Sequence, residues 1–135
     1  MIESAEEFRR LRESDDPDEY RRAACDSAPP AVWRDVLARF PELREWVAHN
    51  RTVPHEVLTE LASDPDPRVR WMVAAKRKLA AELQLRLAVD SDEGVRQRIA
   101  WNARATRAAL ERLAGDSWIV VAEHARARLA AGEYV

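Results

Sequence analysis

A 26-residue internal repeat constrains the fold of this chain more than any other feature of its sequence. Five series recur at that spacing: the pairs that begin at Val47, Val73 and Ile99; Val69, Val95 and Val121; Leu61, Leu87 and Leu113; Asp64, Asp90 and Asp116; and Arg44, Arg70 and Arg96. An earlier copy is two residues shorter, since the Phe40-Pro41 linker replaces the longer one at 64–67. Repeats of this length are supersecondary units that stack to bury a shared core, so we expect the three leucines to be buried and equivalent.

Each repeat is predicted to contain two short helices. The first covers about 68–75 in the clearest copy, where Asp66 can cap it and Pro67 fits the first turn, in which the missing N–H costs nothing. The second covers about 54–63, and Asp64 ends it with an Asx-type turn. We expect asparagines in the left-handed conformation to close the first helix of two copies: Asn50 and Asn102. Neither helix is stable alone at this length.

Composition agrees with an all-α fold. Three glycines in 135 residues argue against an all-β fold and against a phosphate-cradling loop. The single cysteine, Cys25, excludes an internal disulfide and a cysteine-ligated metal site. The longest apolar run, 118–122, is far shorter than the ~20 residues of a membrane helix. No secretion signal is recognisable, so we expect a cytoplasmic protein that does not bind membranes.

The repeats resemble a known family. The runs Val-Ala-His-Asn at 47–50 and Val-Pro-His-Glu-Val-Leu-Thr-Glu-Leu-Ala-Ser-Asp-Pro-Asp-Pro-Arg-Val-Arg at 53–70 are similar to bacterial variant leucine-rich repeats, a HEAT-like group. The resemblance is strong over about 41–116 and weak on either side. It implies a right-handed solenoid of alternating helices, usually a protein-binding scaffold without enzymatic activity. Some members carry an iron–sulfur module ligated by cysteines, which Cys25 alone cannot form, so no cofactor is expected.

We therefore predict one helical-repeat domain over 1–135. It would comprise an N-terminal cap helix at 1–14, a degenerate first repeat at 15–42, the clearest repeats at 43–116 and a C-terminal cap at 117–135. Ser4 and Glu7 form a capping box at the start of the first helix. The apolar residues 118–120 either fold back over the core or let the C-terminal cap form a weak homodimer; a monomer is the other expected state.

Catalytic and metal-binding constellations are not recognisable. The three histidines, His49, His55 and His124, are scattered, and no pair lies at a ligand spacing with a third ligand. The recurring arginines Arg44, Arg70 and Arg96 could bind a ligand, but a structural role is favoured. In that role they would pair with the linker carboxylates in an internal ladder: Asp64, Asp66, Asp90 and Asp92.

The variable positions of the first helices are the candidate binding face. Positions 68, 71 and 75 and their equivalents lie opposite Val69 and Val73 at 100° per residue, so Trp71 and Trp101 point away from the predicted core. Tryptophan and arginine are frequent interface anchors. The candidate partner-binding residues are Trp71, Trp101, Arg68, Arg70, Lys76, Gln97, Glu45 and His49. The alternative is that neighbouring side chains or a chain terminus cover both tryptophans.

Two functions fit these features. The first is a non-enzymatic scaffold that binds another protein with an acidic or amphipathic surface. The second is nucleic-acid binding like that of HEAT-like DNA glycosylases, since residues 68–112 carry a net charge of +6 although the whole chain carries −2. An enzyme-accessory role, such as that of a HEAT-like bilin lyase, has no support from individual residues.

Overall fold

The computed structural model describes all 135 residues, and every regular element of the protein is helical. It has ten α-helices, one 3-10 turn and no strand, so the all-α prediction is confirmed. The helices are α1 Ala5–Glu13, α2 Pro17–Cys25, α3 Pro30–Arg39, α4 Arg44–His49, α5 His55–Leu61, α6 Pro67–Ala74, α7 Ala81–Leu87, α8 Glu93–Ala100, α9 Arg107–Leu113 and α10 Ile119–Ala131; the 3-10 turn is Pro41–Leu43. No helix is both long enough and apolar enough to cross a membrane.

The chain divides into two compact units, Met1–Ser63 and Asp64–Val135. In the first unit, α1 packs on α2 and α3, and α4 packs on α2, α3 and α5. Its core includes an edge-to-face contact between Phe8 and the fully buried Trp33, whose ring centroids are 5.3 Å apart. In the second unit each helix from α6 to α10 packs on its neighbour in the chain. Three further pairs are two helices apart in sequence: α6 with α8, α7 with α9, and α8 with α10.

The repeating apolar residues form the cores, as the spacing predicted. Leu61, Leu87 and Leu113 are all buried, with exposed fractions of 2%, 1% and 0%. The three valines at the 69 position and its equivalents are buried as well. Burial of one helix face at each repeat is the main stabilising contribution, because helices this short do not persist in isolation.

The repeating aspartates and arginines hold the linkers of the second unit. Each aspartate at the end of a second helix accepts a hydrogen bond from the backbone N–H two residues later, which confirms the Asx-type turn; the series is Asp64, Asp90 and Asp116. Arg70 pairs with Asp90 at 2.9 Å and Arg96 pairs with Asp116 at 2.8 Å. Both pairs are largely buried, and these hydrogen bonds raise the pKa of each arginine.

The ladder of arginines and aspartates differs in detail from the prediction. Asp116 is a ladder partner that the prediction omitted. Asp66 and Asp92 instead cap α6 and α8, because their carboxylates accept hydrogen bonds from the first N–H groups of those helices. In the first unit, the Nε atom of Arg44 donates to the carbonyl of Leu37.

The prediction that asparagines close helices in a left-handed conformation was wrong. No residue except glycine has a positive φ; Gly132, at φ 72°, ends α10. Asn102 is instead buried, and its amide donates to the carbonyls of Ala74 and Lys76, 28 and 26 residues earlier. One repeat later, Arg128 donates at the same two offsets to Ala100 and Asn102. Asn102 and Arg128 therefore supply buried donors to the carbonyls at and just beyond the C-terminal ends of α6 and α8. Carbonyls in these positions have no partner within their own helix, and apolar packing alone would not supply them with a hydrogen bond.

Candidate functional site

An open groove lies between α6 and α8 in the second unit. It has a volume of about 230 Å³ and is lined by Trp71, Gln97, Arg98 and Trp101. Gln97 and Trp101 are four residues apart, so the helical repeat places them on one side of α8 and its C-cap. Trp71 stands one 26-residue repeat before Gln97, and the packing of α6 on α8 brings the two tryptophans to the same groove.

Both tryptophans are substantially exposed. The exposed fraction is 41% for Trp71 and 54% for Trp101, whereas Val69 and Val73 on the other side of α6 are buried. This agrees with the side of each helix that the 3.6-residue period predicted. No neighbouring helix and no chain terminus covers either ring completely, so the alternative of two buried indoles is excluded.

Arg98 lies in the groove without an anionic partner. Its guanidinium carbon is 5.5 Å from the centroid of the Trp71 ring, which places the cation against the aromatic ring. The side chain is half-buried and forms neither a hydrogen bond nor an ion pair in the structure. Burial lowers the pKa of Arg98 from its ordinary value because the charged form loses hydration. Arginine remains charged at physiological pH nevertheless.

His124 of α10 extends the site beyond Trp101. The two rings are stacked, with centroids 4.0 Å apart and an angle of 8° between their planes. Burial, and secondarily the nearby charge of Arg128, lower the pKa of His124 below 6.5, so the imidazole is mainly neutral at pH 7. Val120, one turn earlier on the same side of α10, is exposed. Aromatic and apolar surface therefore continues from Trp71 to α10.

The structure brings together three of the eight predicted site residues. Trp71, Gln97 and Trp101 line the groove. Arg68 pairs with Asp66 in the turn before α6, and Lys76 follows the end of α6. Glu45 and His49 belong to α4 of the first unit. There, His49 contributes to a much smaller cleft whose other lining residues are Arg12, Tyr20, Ala23, Ala24 and Trp46.

Arg70, one of the predicted partner-binding residues, is engaged within its own unit. Its side chain is only 13% exposed, and its guanidinium donates to Asp90 and to the carbonyls of Asp64 and Pro65. A guanidinium that already uses these donors within its own unit is not available to a partner. These contacts support a structural role for Arg70, in which it pairs with a linker aspartate.

Arg98 and His124 were missed by the sequence analysis. The two residues are 26 apart and continue the series Trp46, Met72, Arg98 and His124. The residue type at this position changes between aromatic, apolar and charged from repeat to repeat. Because a core position stays apolar in every repeat, this change could have indicated an exposed position. Met72 hid the pattern, because an apolar residue at that position is compatible with the core.

A second cleft in the same unit is cationic. It has a volume of about 340 Å³ and is lined by Arg77, Lys78, Leu79, Gln84, Arg104, Thr106 and Val135. The amide of the buried Gln84 is engaged, since it donates to Leu79 and Arg104 and accepts from the N–H of Thr106. No group of three or more histidine, cysteine, aspartate or glutamate side chains is arranged to hold a metal ion.

Comparison of the chain with protein-family models, with curated proteins and with solved structures found no match. The assignment of a function therefore depends on the geometry and charge of the two clefts.

Proposed function

We propose that this protein is a non-enzymatic helical-repeat scaffold that binds another protein through the groove of Trp71, Gln97, Arg98 and Trp101. The observation that carries the proposal is the pair of exposed tryptophans that line one groove. Exposed aromatic surface is a liability for solubility, and a contiguous patch usually marks an interaction site. Tryptophan and arginine contribute the largest share of binding energy at many protein interfaces.

The support for the groove is preorganised. Trp71 and Trp101 are attached to helices whose opposite sides are buried, and α6 and α8 pack on each other. The Arg70–Asp90 and Arg96–Asp116 pairs connect the linkers on either side of these helices. A preorganised surface loses less conformational entropy when it binds a partner.

The proposal has further parts that follow from the sequence. The partner presents an acidic or amphipathic surface, the repeats stack as a right-handed solenoid related to variant leucine-rich and HEAT-like repeats, and the protein acts in the cytoplasm. It is a monomer or a weak homodimer formed through the C-terminal cap, where Ile119 and Val120 are exposed. Sedimentation over a range of concentrations distinguishes these two states.

The proposal is tested by capture and site-specific crosslinking in the native host. A photo-crosslinking amino acid at position 97 lies in the groove, and the same amino acid at the exposed position 89 is the control. We expect one protein to crosslink from position 97 and not from position 89. The crosslink should disappear in the W71A/W101A double variant and persist in V89A/Y134A, which removes exposed apolar groups outside the groove.

Two results would contradict the proposal. One is a partner that crosslinks equally from positions 97 and 89. The other is a partner whose capture is unaffected by W71A/W101A while thermal melting shows that the double variant is folded.

Nucleic-acid binding is the second candidate, and the cationic cleft favours it. Three of the residues that line this cleft are basic and none has an acidic side chain: Arg77, Lys78 and Arg104. Against this candidate, the net charge falls from +6 to +3 when the flanking linker aspartates are counted, over 64–116. Duplex DNA binding with a steep salt dependence, lost in R77A/K78A/R104A, would favour it over the scaffold.

A further inference from the structure

We propose that the groove recognises a carboxylate, carried by an aspartate or glutamate within an otherwise apolar segment of the partner protein, and that Arg98 and Gln97 are the groups that bind it. This inference rests on the proposed scaffold function and specifies the chemistry of the partner at the same groove. The apolar neighbours of the carboxylate would pack on Trp71 and Trp101.

The groove has hydrogen-bond donors that no group of the protein uses. Four of the other arginines of the second unit have carboxylate partners: Arg68, Arg70, Arg96 and Arg107. Arg77, Arg104 and Arg112 have none, but these side chains are exposed to water, whereas Arg98 is half-buried. Arg98 has none, although it is only two residues from Arg96. The side-chain amide of Gln97, which also lines the groove, forms no hydrogen bond either. Two adjacent donors without an acceptor favour a ligand that accepts from both.

The charge of Arg98 favours an anionic ligand. Arg98 is half-buried against Trp71, so part of its hydration is lost without compensation from an anion. A carboxylate can accept two parallel hydrogen bonds from a guanidinium and restores that compensation. A cationic partner would meet like charge, and a purely apolar partner would bury the guanidinium unpaired.

The number of cations in the groove favours a carboxylate over a phosphate backbone. The groove is lined by one cation and two aromatic rings, which suits a single monoanion among apolar groups. A nucleic-acid backbone presents a row of phosphates and is usually bound by several basic side chains. In this unit such a set lines the other cleft, with Arg77, Lys78 and Arg104.

The test uses a random peptide library displayed on phage. Peptides are selected on the immobilised full-length protein, and those that also bind the W71A/W101A variant are removed. We expect the remaining peptides to be enriched in aspartate or glutamate flanked by apolar residues. The dissociation constant of a selected peptide is then measured with the wild type and with R98M, which keeps an apolar stem without the charge.

The expected change in affinity is specific to Arg98. R98M should weaken binding at least about thirtyfold, the low end for loss of one partner from a buried charge pair. R98K should bind with intermediate affinity because it keeps the charge without the two-pronged geometry. R112M, which removes an exposed arginine outside both clefts, is the matched control and should change binding little. Replacing the peptide aspartate or glutamate with its amide should have little further effect in R98M.

Three outcomes would overturn the inference. Peptides that need both tryptophans but lack acidic enrichment, and bind R98M normally, contradict the carboxylate and leave the scaffold function standing. A library that yields no peptide dependent on the tryptophans contradicts the scaffold function and the inference together. Duplex DNA that binds the wild type and is lost in R98M would assign Arg98 to phosphate instead.

Discussion

The two units contain tryptophans on corresponding helices, yet only the second unit leaves them open. Trp46 of α4 is covered by the first two helices of its own unit. The guanidinium carbon of Arg12 is 3.5 Å from the centroid of Trp46 and 4.4 Å from that of Tyr20, so the cation lies against two rings. Trp71 meets one arginine, Arg98, at 5.5 Å and faces an open groove.

This difference shows that a contact between arginine and tryptophan can either cover the aromatic ring or leave it accessible to a partner. In the first unit the arginine comes from another helix, α1, and the Nε atom of Arg12 is buried without a hydrogen-bond partner. This arginine uses its aromatic contacts to attach α1 and α2 to α4. In the second unit His124 of α10 stacks on Trp101, but a large part of both indole rings stays exposed and Arg98 has no anionic partner. Four predictions test this comparison.

The largest effect is expected from the core of the second unit. Leu87→Ala should lower the free energy of unfolding by about 2–5 kcal/mol, because a buried leucine loses its contacts and leaves a cavity. Denaturant titration measures this change. The exposed Val89→Ala is the control and should stay within about 0.5 kcal/mol of the wild type. Equal effects of the two substitutions would show that the repeat register is misassigned.

The second prediction compares the tryptophans directly. Trp46→Ala should destabilise the protein by about 2 kcal/mol, less than the 3–5 kcal/mol of a fully buried aromatic residue, because the ring is only partly covered. Trp71→Ala and Trp101→Ala should each cost less than about 1 kcal/mol, since much of each ring is already in water. If the double substitution W71A/W101A unfolded the protein by several kcal/mol, both rings would be structural and the comparison would fail.

The third prediction separates the two arginines that contact tryptophan. Arg12→Met should destabilise by about 1 kcal/mol, because it removes a cation from between two rings. Arg98→Met should stay within about 0.5 kcal/mol of the wild type, since its single aromatic contact is offset by relief of an unpaired charge. Thermal melts of both variants under identical conditions provide the measurement, and a larger loss for Arg98→Met would contradict the assignment of Arg98 to binding.

The smallest effect is a pH dependence from His124. Its folded pKa lies below the ordinary 6.5, so the unfolded chain binds more protons in the range between the two values. The contribution to stability is therefore present above about pH 6.5 and is lost as the pH falls through the folded pKa. His124→Gln should reduce the decrease in unfolding free energy between about pH 7.5 and about pH 5.5. This range avoids Glu6, Glu19 and Asp66, whose lowered pKa values place their titration at more acidic pH. An unchanged slope would show that burial in the folded protein does not lower the pKa of His124.

Local patterns were sufficient wherever a residue acts through its own helix or turn. The buried leucines, the Asx-type turns at Asp64, Asp90 and Asp116, and the outward direction of Trp71 all depend on chain spacing and helical period alone. The prediction for Asn50 and Asn102 was wrong because an asparagine at the end of a helix is compatible with two roles. Only tertiary packing shows that the amide of Asn102 meets carbonyls 26 and 28 residues away.

Periodicity alone determined that this chain is helical and which face of each helix is buried, because these depend on interactions within a few residues and on the burial of one apolar stripe. The tertiary structure decided which charged and aromatic side chains remain available. Arg70 of α6 and Arg96 of α8 form ion pairs with Asp90 and Asp116. Arg98 lies on the same helix as Arg96 and forms no ion pair. The physical reason is that availability depends on which partner lies within hydrogen-bond distance in space, and linear spacing does not encode that distance.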